Sequence, residues 1–315
     1  MGLQERIEAR ARRRAARKAR LEAKAAQEAL GSSLPPSPFT TADGTPLHLD
    51  GLYRGSSVFL VLAGPSLTSL DLSLLSQRGI VTFGVNQTPS VVRTNFWISV
   101  DPERKFHEGI WRDPQITKFV PSHPINHFAR PLQHKNPDGT FSHILRPDGS
   151  TAQIKDFPGV VGYRRNPCFD PETWLSEPFI NWGNDKRSAK RNKHPRILNV
   201  MFAVVKAAYA LGFRTVYLLG CDFYMDKAKP YAFEQAKSAG GVAGNNESYG
   251  KLNQMFSLLK PKFDAAGFRV FNVNPKSGFT VFPYKSFEDA IAEARQDMPP
   301  EPWDVTGWYE TAKGN

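Results

Sequence analysis

Short apolar runs, rich in β-branched and aromatic residues, recur along the chain between polar or helix-forming stretches. The first is Ser57-Val58-Phe59-Leu60-Val61-Leu62. It stops at Ala63-Gly64-Pro65-Ser66-Leu67, and Thr68-Ser69-Leu70-Asp71 opens a helical segment expected to reach Arg78. That order of residues predicts a buried parallel strand, a tight turn and a helix N-terminus. Ile80 to Val85 predicts a second strand ending at Asn86, Asn95 to Val100 a third ending at Asp101-Pro102, and Ile116 to Val120 a fourth. Further on, Ile197-Leu198-Asn199 leads into a helix over Val200 to Leu211 that Gly212 ends. Arg214 to Gly220 then forms a buried strand running into Cys221-Asp222-Phe223-Tyr224. Gly240 to Asn246 reads as a flexible loop, Ser248 to Phe263 as a helix, Phe268 to Val273 as a strand and Ser286 to Arg295 as the last helix.

Strands alternating with helices predict an α/β fold, a Rossmann-like and mainly parallel sheet with flanking helices. Residues 121–197 break the rhythm. They are rich in Pro, His, Asn and Gly, with only short strand-like pieces such as Phe141 to Leu145, and read as an irregular lid or subdomain inserted in the sheet. The expected division is a basic helical arm over 1–30, a Pro-, Ser- and Gly-rich linker over 31–47, a nucleotide-binding domain over 48–298 that contains the insert, and a peripheral tail over 299–315.

Charge sharpens this division. The net charge of +11 is carried almost entirely by two segments, since residues 1–30 and 184–196 each hold +5 and the remainder is near neutral. Such segments fit a polyanionic partner such as DNA, an anionic membrane, or a merely solvated surface. Two cysteines, Cys168 and Cys221, make no disulfide framework. No run approaches the roughly 20 apolar residues of a membrane span, and a cytoplasmic location is the default.

Ser66, Asn86 and Asp101 close three successive strands, which would set them along one rim of the sheet. Singly they are ordinary strand terminators; together they mark a site. Five of the seven histidines, His123, His127, His134, His143 and His194, lie in the irregular segment without metal-ligand spacing. No Asp-x-Asp occurs anywhere, so the cation-binding motif of many sugar transferases is missing.

Four blocks in order resemble the bacterial sialyltransferases of the Campylobacter and Haemophilus lipooligosaccharide type. They are Ala63-Gly64-Pro65-Ser66-Leu67, then Asn86, then Ala207 to Gly212 with Leu219-Gly220-Cys221-Asp222-Phe223-Tyr224 and Tyr231-Ala232-Phe233, and finally Asn274-Pro275-Lys276-Ser277. The third block is the specific one. The resemblance implies a metal-independent glycosyltransferase using a nucleotide-sugar donor, a CMP- or UDP-sugar, and it admits a homo-oligomer. Gly64, Pro65 and Ser66 would bring the turn backbone to the nucleotide. Asn86, Asn199, Gly220, Phe223 and Ser277 would complete the pocket, and Asp222 would accept from ribose hydroxyls or the base. Tyr224 and Tyr231 would donate hydroxyls to the leaving phosphate.

The chain departs from that family at Ala63, where an asparagine is usual, and at Leu198-Asn199-Val200. It departs again at Asn246-Glu247-Ser248-Tyr249, where Ser248 stands at the position of the family's histidine base. Glu247 is the nearest candidate base and His194 a second. The acceptor would be a hydroxyl on a phosphate-rich molecule, such as lipooligosaccharide or, as with some phage enzymes, hydroxylated bases in DNA, held by residues 1–30 and 184–196. Two other readings stay open: an ATP-dependent diphosphotransferase of the same superfamily, like the archaeal-type hydroxymethylpterin diphosphokinases, and a non-catalytic polyanion-binding protein.

Overall fold

The apolar runs become the strands of one sheet. The computed structural model describes residues 36–130, 136–165, 169–180, 199–235 and 238–296. The chain divides into two compact units, residues 1–37 and 38–315, and the sheet belongs to the second. The basic arm over 1–30, the basic segment 184–196, His134, His194, Cys168 and the tail from 299 lie outside the described residues.

The strands are β1 (Phe39–Thr40), β2 (Ser57–Val61), β3 (Thr82–Val85), β4 (Phe96–Ile98), β5 (Thr117–Pro121), β6 (Val160–Tyr163), β7 (Thr215–Leu219) and β8 (Arg269–Asn272). They lie in the order β1-β6-β5-β4-β3-β2-β7-β8. Every neighbouring pair is parallel except β1 against β6. The fold is therefore α/β, with a mostly parallel sheet flanked by the helices α1 (Glu108–Arg112), α2 (Val200–Leu211), α3 (Ala239–Ala265) and α4 (Phe287–Arg295).

Alternation along β2 distributes the layers. Val58 and Leu60 face a core shared with Phe202 and Val205 of α2 and with Phe256 and Phe263 of α3. Phe59 and Val61 face the opposite side, where Phe287, Ala290 and Ile291 of α4 pack. Helix α2 is apolar almost all round, and a helix of that composition belongs inside. Asn199 caps it by accepting from the Met201 N–H at 2.7 Å, and Gly212 ends it at φ +103°, a left-handed turn that glycine adopts without strain. A third cluster, around Trp97, Phe106 and Trp111, lies under β4 and α1.

Four expectations about local structure change. The helix over 71–78 is instead two short 3₁₀ turns, Pro65–Ser69 and Leu72–Ser76. Ser69 and Ser76 there return their hydroxyls to the carbonyls of Ser66 and Ser73, which favours short turns over a continuing helix. The domain begins at residue 38 rather than 48, because Phe39 is buried and pairs with Tyr163. Residues 121–197 are more than an insert, since they supply β6 to the sheet and bury Phe169, Trp174 and Ile180 in its core. The loop at 240–246 is the start of α3, capped by Ser238, whose hydroxyl accepts from the Gly241 N–H at 3.1 Å. Among the described residues no helix is long and apolar enough to cross a membrane.

Candidate functional site

The chain leaves β2 toward β3 on one side and returns on the other side as β7. In parallel sheets that reversal opens a crevice beyond the strands' carboxyl ends, where ligands collect. Gly64 and Gly220 meet there. The Gly64 N–H donates to the Gly220 carbonyl at 2.9 Å. A Cβ on Gly64 would stand 2.4 Å from that oxygen and 2.7 Å from the Asp222 carboxyl carbon, so only glycine fits. Gly220, at φ +63°, is held as closely against the Leu62 carbonyl, at 2.6 Å from where its Cβ would be.

Asp222 closes this junction. Its carboxylate accepts from the Ser66 N–H at 2.9 Å, from the Ser66 hydroxyl, and from Asn274 Nδ2 at 2.9 Å. Ser277 donates to the Cys221 carbonyl and accepts from the Phe279 N–H at 3.0 Å. The contacts of Gly64, Ser66, Asp222 and Ser277 are thus to one another and to the chain. Together these bonds latch the Gly-Pro-Ser turn to the end of β7.

Beside the latch lies a cleft of about 1000 Å³. Of the residues expected at a site, Gly64, Asn86, Asn199, Gly220, Asp222, Phe223, Tyr224 and Tyr231 line it, with Asp101 and Ser248. Pro65, Ser66, Ser277 and Glu247 do not. Pro65 and Ser66 begin the 3₁₀ turn after β2. Glu247 points away on an exposed face of α3, 70% exposed and paired with Lys251 at 2.5 Å. That bond holds its carboxyl below the usual range. Its helical phase, one residue from Ser248, turns it out of the cleft, so the structure does not bring this candidate base to the other expected residues.

Two strained residues mark the walls. Asn86 at φ +52° and Phe223 at φ +53° are the non-glycine residues with left-handed backbones among those described. A bulky phenylalanine in that region is rare and persists only where surroundings over-determine it. Here its ring stacks on Tyr249 at 5.0 Å and on Phe279 at 4.0 Å. At Asn86 the carbonyl accepts from Trp97 Nε1 at 2.7 Å, while the side-chain Oδ1 is buried without a partner. The next residue repeats this: Gln87 Nε2 donates to the Lys105 carbonyl at 2.9 Å, and its Oε1 is buried and unpartnered.

The remaining wall is the segment from Asp101 to His107, contributing Asp101, Lys105, Phe106 and His107. Lys105 pairs with Asp101 at 3.0 Å. With Asp101 and Asp222 engaged, His107 and Glu234 are the imidazole and carboxylate lining the cleft with no pairing among the described residues. Neither sits in a motif, so reasoning from sequence misses both. The signal that could have found His107 is its place just after a strand-end Asp-Pro. Tyr224 is 65% exposed, and Tyr231 stacks face to face on Phe233 at 5.3 Å. Burial pushes Tyr249 up to about 12 and raises the Cys221 thiol, so both stay protonated near neutral pH. Among the described residues no group of three or more His, Cys, Asp and Glu could hold a metal ion.

No family model matches the chain, and no curated protein matches it. Among solved structures, the MAf glycosyltransferase from Magnetospirillum magneticum AMB-1 matches with a TM-score of 0.38 and 15% identity over 82% of this chain, which spans 38% of that one.

Proposed function

We propose that the chain is a glycosyltransferase that takes a nucleotide-sugar donor, a CMP- or UDP-sugar, in the cleft beside the β2–β7 junction. The observation that carries this reading is the pair of buried, unpartnered carbonyl oxygens on Asn86 and Gln87 at a strand-end cleft. Buried acceptors are almost always satisfied, and a ligand rich in hydroxyl and amino donors supplies what the chain does not. A nucleotide sugar is such a ligand, and a cleft of about 1000 Å³ holds one.

In this reading the acceptor hydroxyl attacks the anomeric carbon while the bond from that carbon to the donor phosphate breaks. The electron pair leaves on the phosphate oxygen, and the acceptor's proton passes to His107 or, failing it, Glu234. Imidazole is well matched to base work near neutral pH. Tyr224 and Tyr231 donate to the departing phosphate in place of a cation. The basic segments 1–30 and 184–196 are proposed to hold a phosphate-rich acceptor.

A nucleotide panel by calorimetry tests the reading. Saturable binding of CMP, CDP or UDP, unchanged by magnesium or by chelator, is the expected result. Preference for ATP with magnesium favours the diphosphotransferase, and no binding at all overturns both.

A further inference from the structure

Behind the cleft wall formed by residues 101–107, two guanidinium groups converge on one ring. Arg104 Cζ and Arg130 Cζ each lie 5.8 Å from the centroid of Phe141. Three separate backbone segments bring them there. Arg104 rises from the 3₁₀ turn Glu103–Lys105, next to Lys105, Phe106 and His107 of the wall. Arg130 follows Ala129, whose N–H donates to the Ala152 carbonyl at 2.8 Å and whose carbonyl accepts from the Ile144 N–H at 3.0 Å. Phe141 follows a turn in which the Asn136 N–H donates to the Thr140 carbonyl at 2.7 Å. Phe106, Ala129 and Ile144 share one buried cluster, so the three segments are fixed over common packing.

Charge sets these two arginines apart. In the same part of the molecule Arg93 pairs with Asp113, Arg112 with Glu108 and Arg146 with Asp156. Arg104 and Arg130 have no carboxylate partner among the described residues, and Arg130 Nε is buried without any acceptor. A buried charged donor left unpaired is costly, and two like charges on one ring repel. An oxyanion held by these guanidiniums offsets both penalties, because a planar guanidinium presents parallel N–H groups to phosphate oxygens.

We propose that Arg104 and Arg130, braced on Phe141, form a phosphate-binding site outside the donor cleft. Placing that phosphate on the acceptor substrate rests on the transferase reading; the anion site itself does not. An acceptor gripped there lies against the wall that carries His107.

The test is calorimetric titration of the full chain with inorganic phosphate, and in parallel with glucose 6-phosphate, for the wild type, Arg104→Gln, Arg130→Gln and the double variant. The expected result is saturable binding that weakens about tenfold or more in each single variant. CMP and UDP binding, measured on the same samples, stays unchanged. Tighter binding of the sugar phosphate than of inorganic phosphate assigns the site to an acceptor; equal binding assigns it to free phosphate. Arg104 is exposed, so Arg104→Gln carries the test should Arg130→Gln fold poorly. No saturable phosphate binding by the wild type, or an unchanged isotherm in Arg104→Gln, overturns the site. Phosphate binding without nucleotide binding leaves the site standing and removes the transferase reading.

Discussion

Asp222 holds Ser66 twice, through the backbone N–H at 2.9 Å and through the hydroxyl, across 156 residues of sequence. These bonds join the ends of β2 and β7 where the sheet reverses direction, so they position the floor of the cleft. Hydrogen bonds to a charged acceptor contribute about 1.5–3 kcal/mol each. Asp222→Ala is therefore expected to lower unfolding free energy by about 3 kcal/mol, read as a reduced urea midpoint at constant slope. An unchanged midpoint would show that the latch does not form in solution.

Gly64 makes a companion prediction by sterics alone. Its absent side chain leaves the space in which the Gly220 carbonyl and the Asp222 carboxylate sit. Gly64→Ala is expected to destabilise by about 2 kcal/mol or more, because the nearest atoms belong to backbone and a latched carboxylate that cannot yield. Gly240→Ala, where a Cβ would meet nothing within 4 Å, is the contrasting case in the same thermal melts and is expected to stabilise by up to about 1 kcal/mol.

The two roles proposed for cleft side chains separate kinetically. His107→Gln is expected to lower kcat about a hundredfold or more while leaving nucleotide affinity alone. Tyr231→Phe is expected to lower kcat by a similar factor through lost stabilisation of the leaving phosphate. An unchanged kcat in His107→Gln would pass the base role to Glu234, and Glu234→Gln then carries the same test.

Two buried lysines give stability a distinctive pH dependence. Lys118 donates to the carbonyls of Asp113, Ile116 and Pro158 at 2.6, 2.9 and 2.9 Å, and Lys206 to those of Trp174 and Leu175. Burial pushes both from 10.5 down to about 8. With the folded value below the unfolded one, the unfolded chain holds more protons above about pH 8, so stability rises with pH there. The opposite sign holds for Cys221, raised above 9.0, and for Tyr163 and Tyr249, raised above 10.0 by burial. They keep protons that the unfolded chain loses, and stability falls again above about pH 9–10. Urea midpoints at about pH 7.5 and about pH 9 measure the rise, which should shrink in Lys206→Met.

The sheet was legible because its strands are short, apolar and bounded by Gly, Pro or Asp; β2, β3, β4, β7 and β8 fall within the runs that predict them, and β5 overruns its own by one residue, Pro121. What escaped depended on distant partners. The edge pair of β1 and β6 is two residues against two, and nothing local marks Phe39 as a strand until Tyr163 is beside it. The start of α3 has the composition of a loop, and its helicity draws on Asn246, which exchanges bonds with the Met225 backbone at 2.9 and 3.1 Å. At the site, residue identity revealed which side chains gather but not their work. Ser66, Asp222 and Ser277, expected at the site from their chemistry, also tie β2 to β7 and to the loop after β8, which no local pattern marks. His107 carried no motif and faces the cleft.

The two halves of helix α3 are held differently. Its buried residues, Leu252, Phe256, Leu259 and Phe263, run from its midpoint onward, while Asn245, Ser248, Tyr249 and Leu252 overlook the cleft. The 27 residues extend about 40 Å, so the first turns project as a cantilever pinned to the strand ends by the Asn246 amide. Gly240, Gly244 and Gly250 in or beside that projection have open space where a Cβ would be, so packing does not require them. Each weakens the helix by about 1 kcal/mol relative to alanine. Low intrinsic helix propensity and sparse burial coincide in the half that overlooks the cleft, so that half is held by fewer side chains than the anchored one.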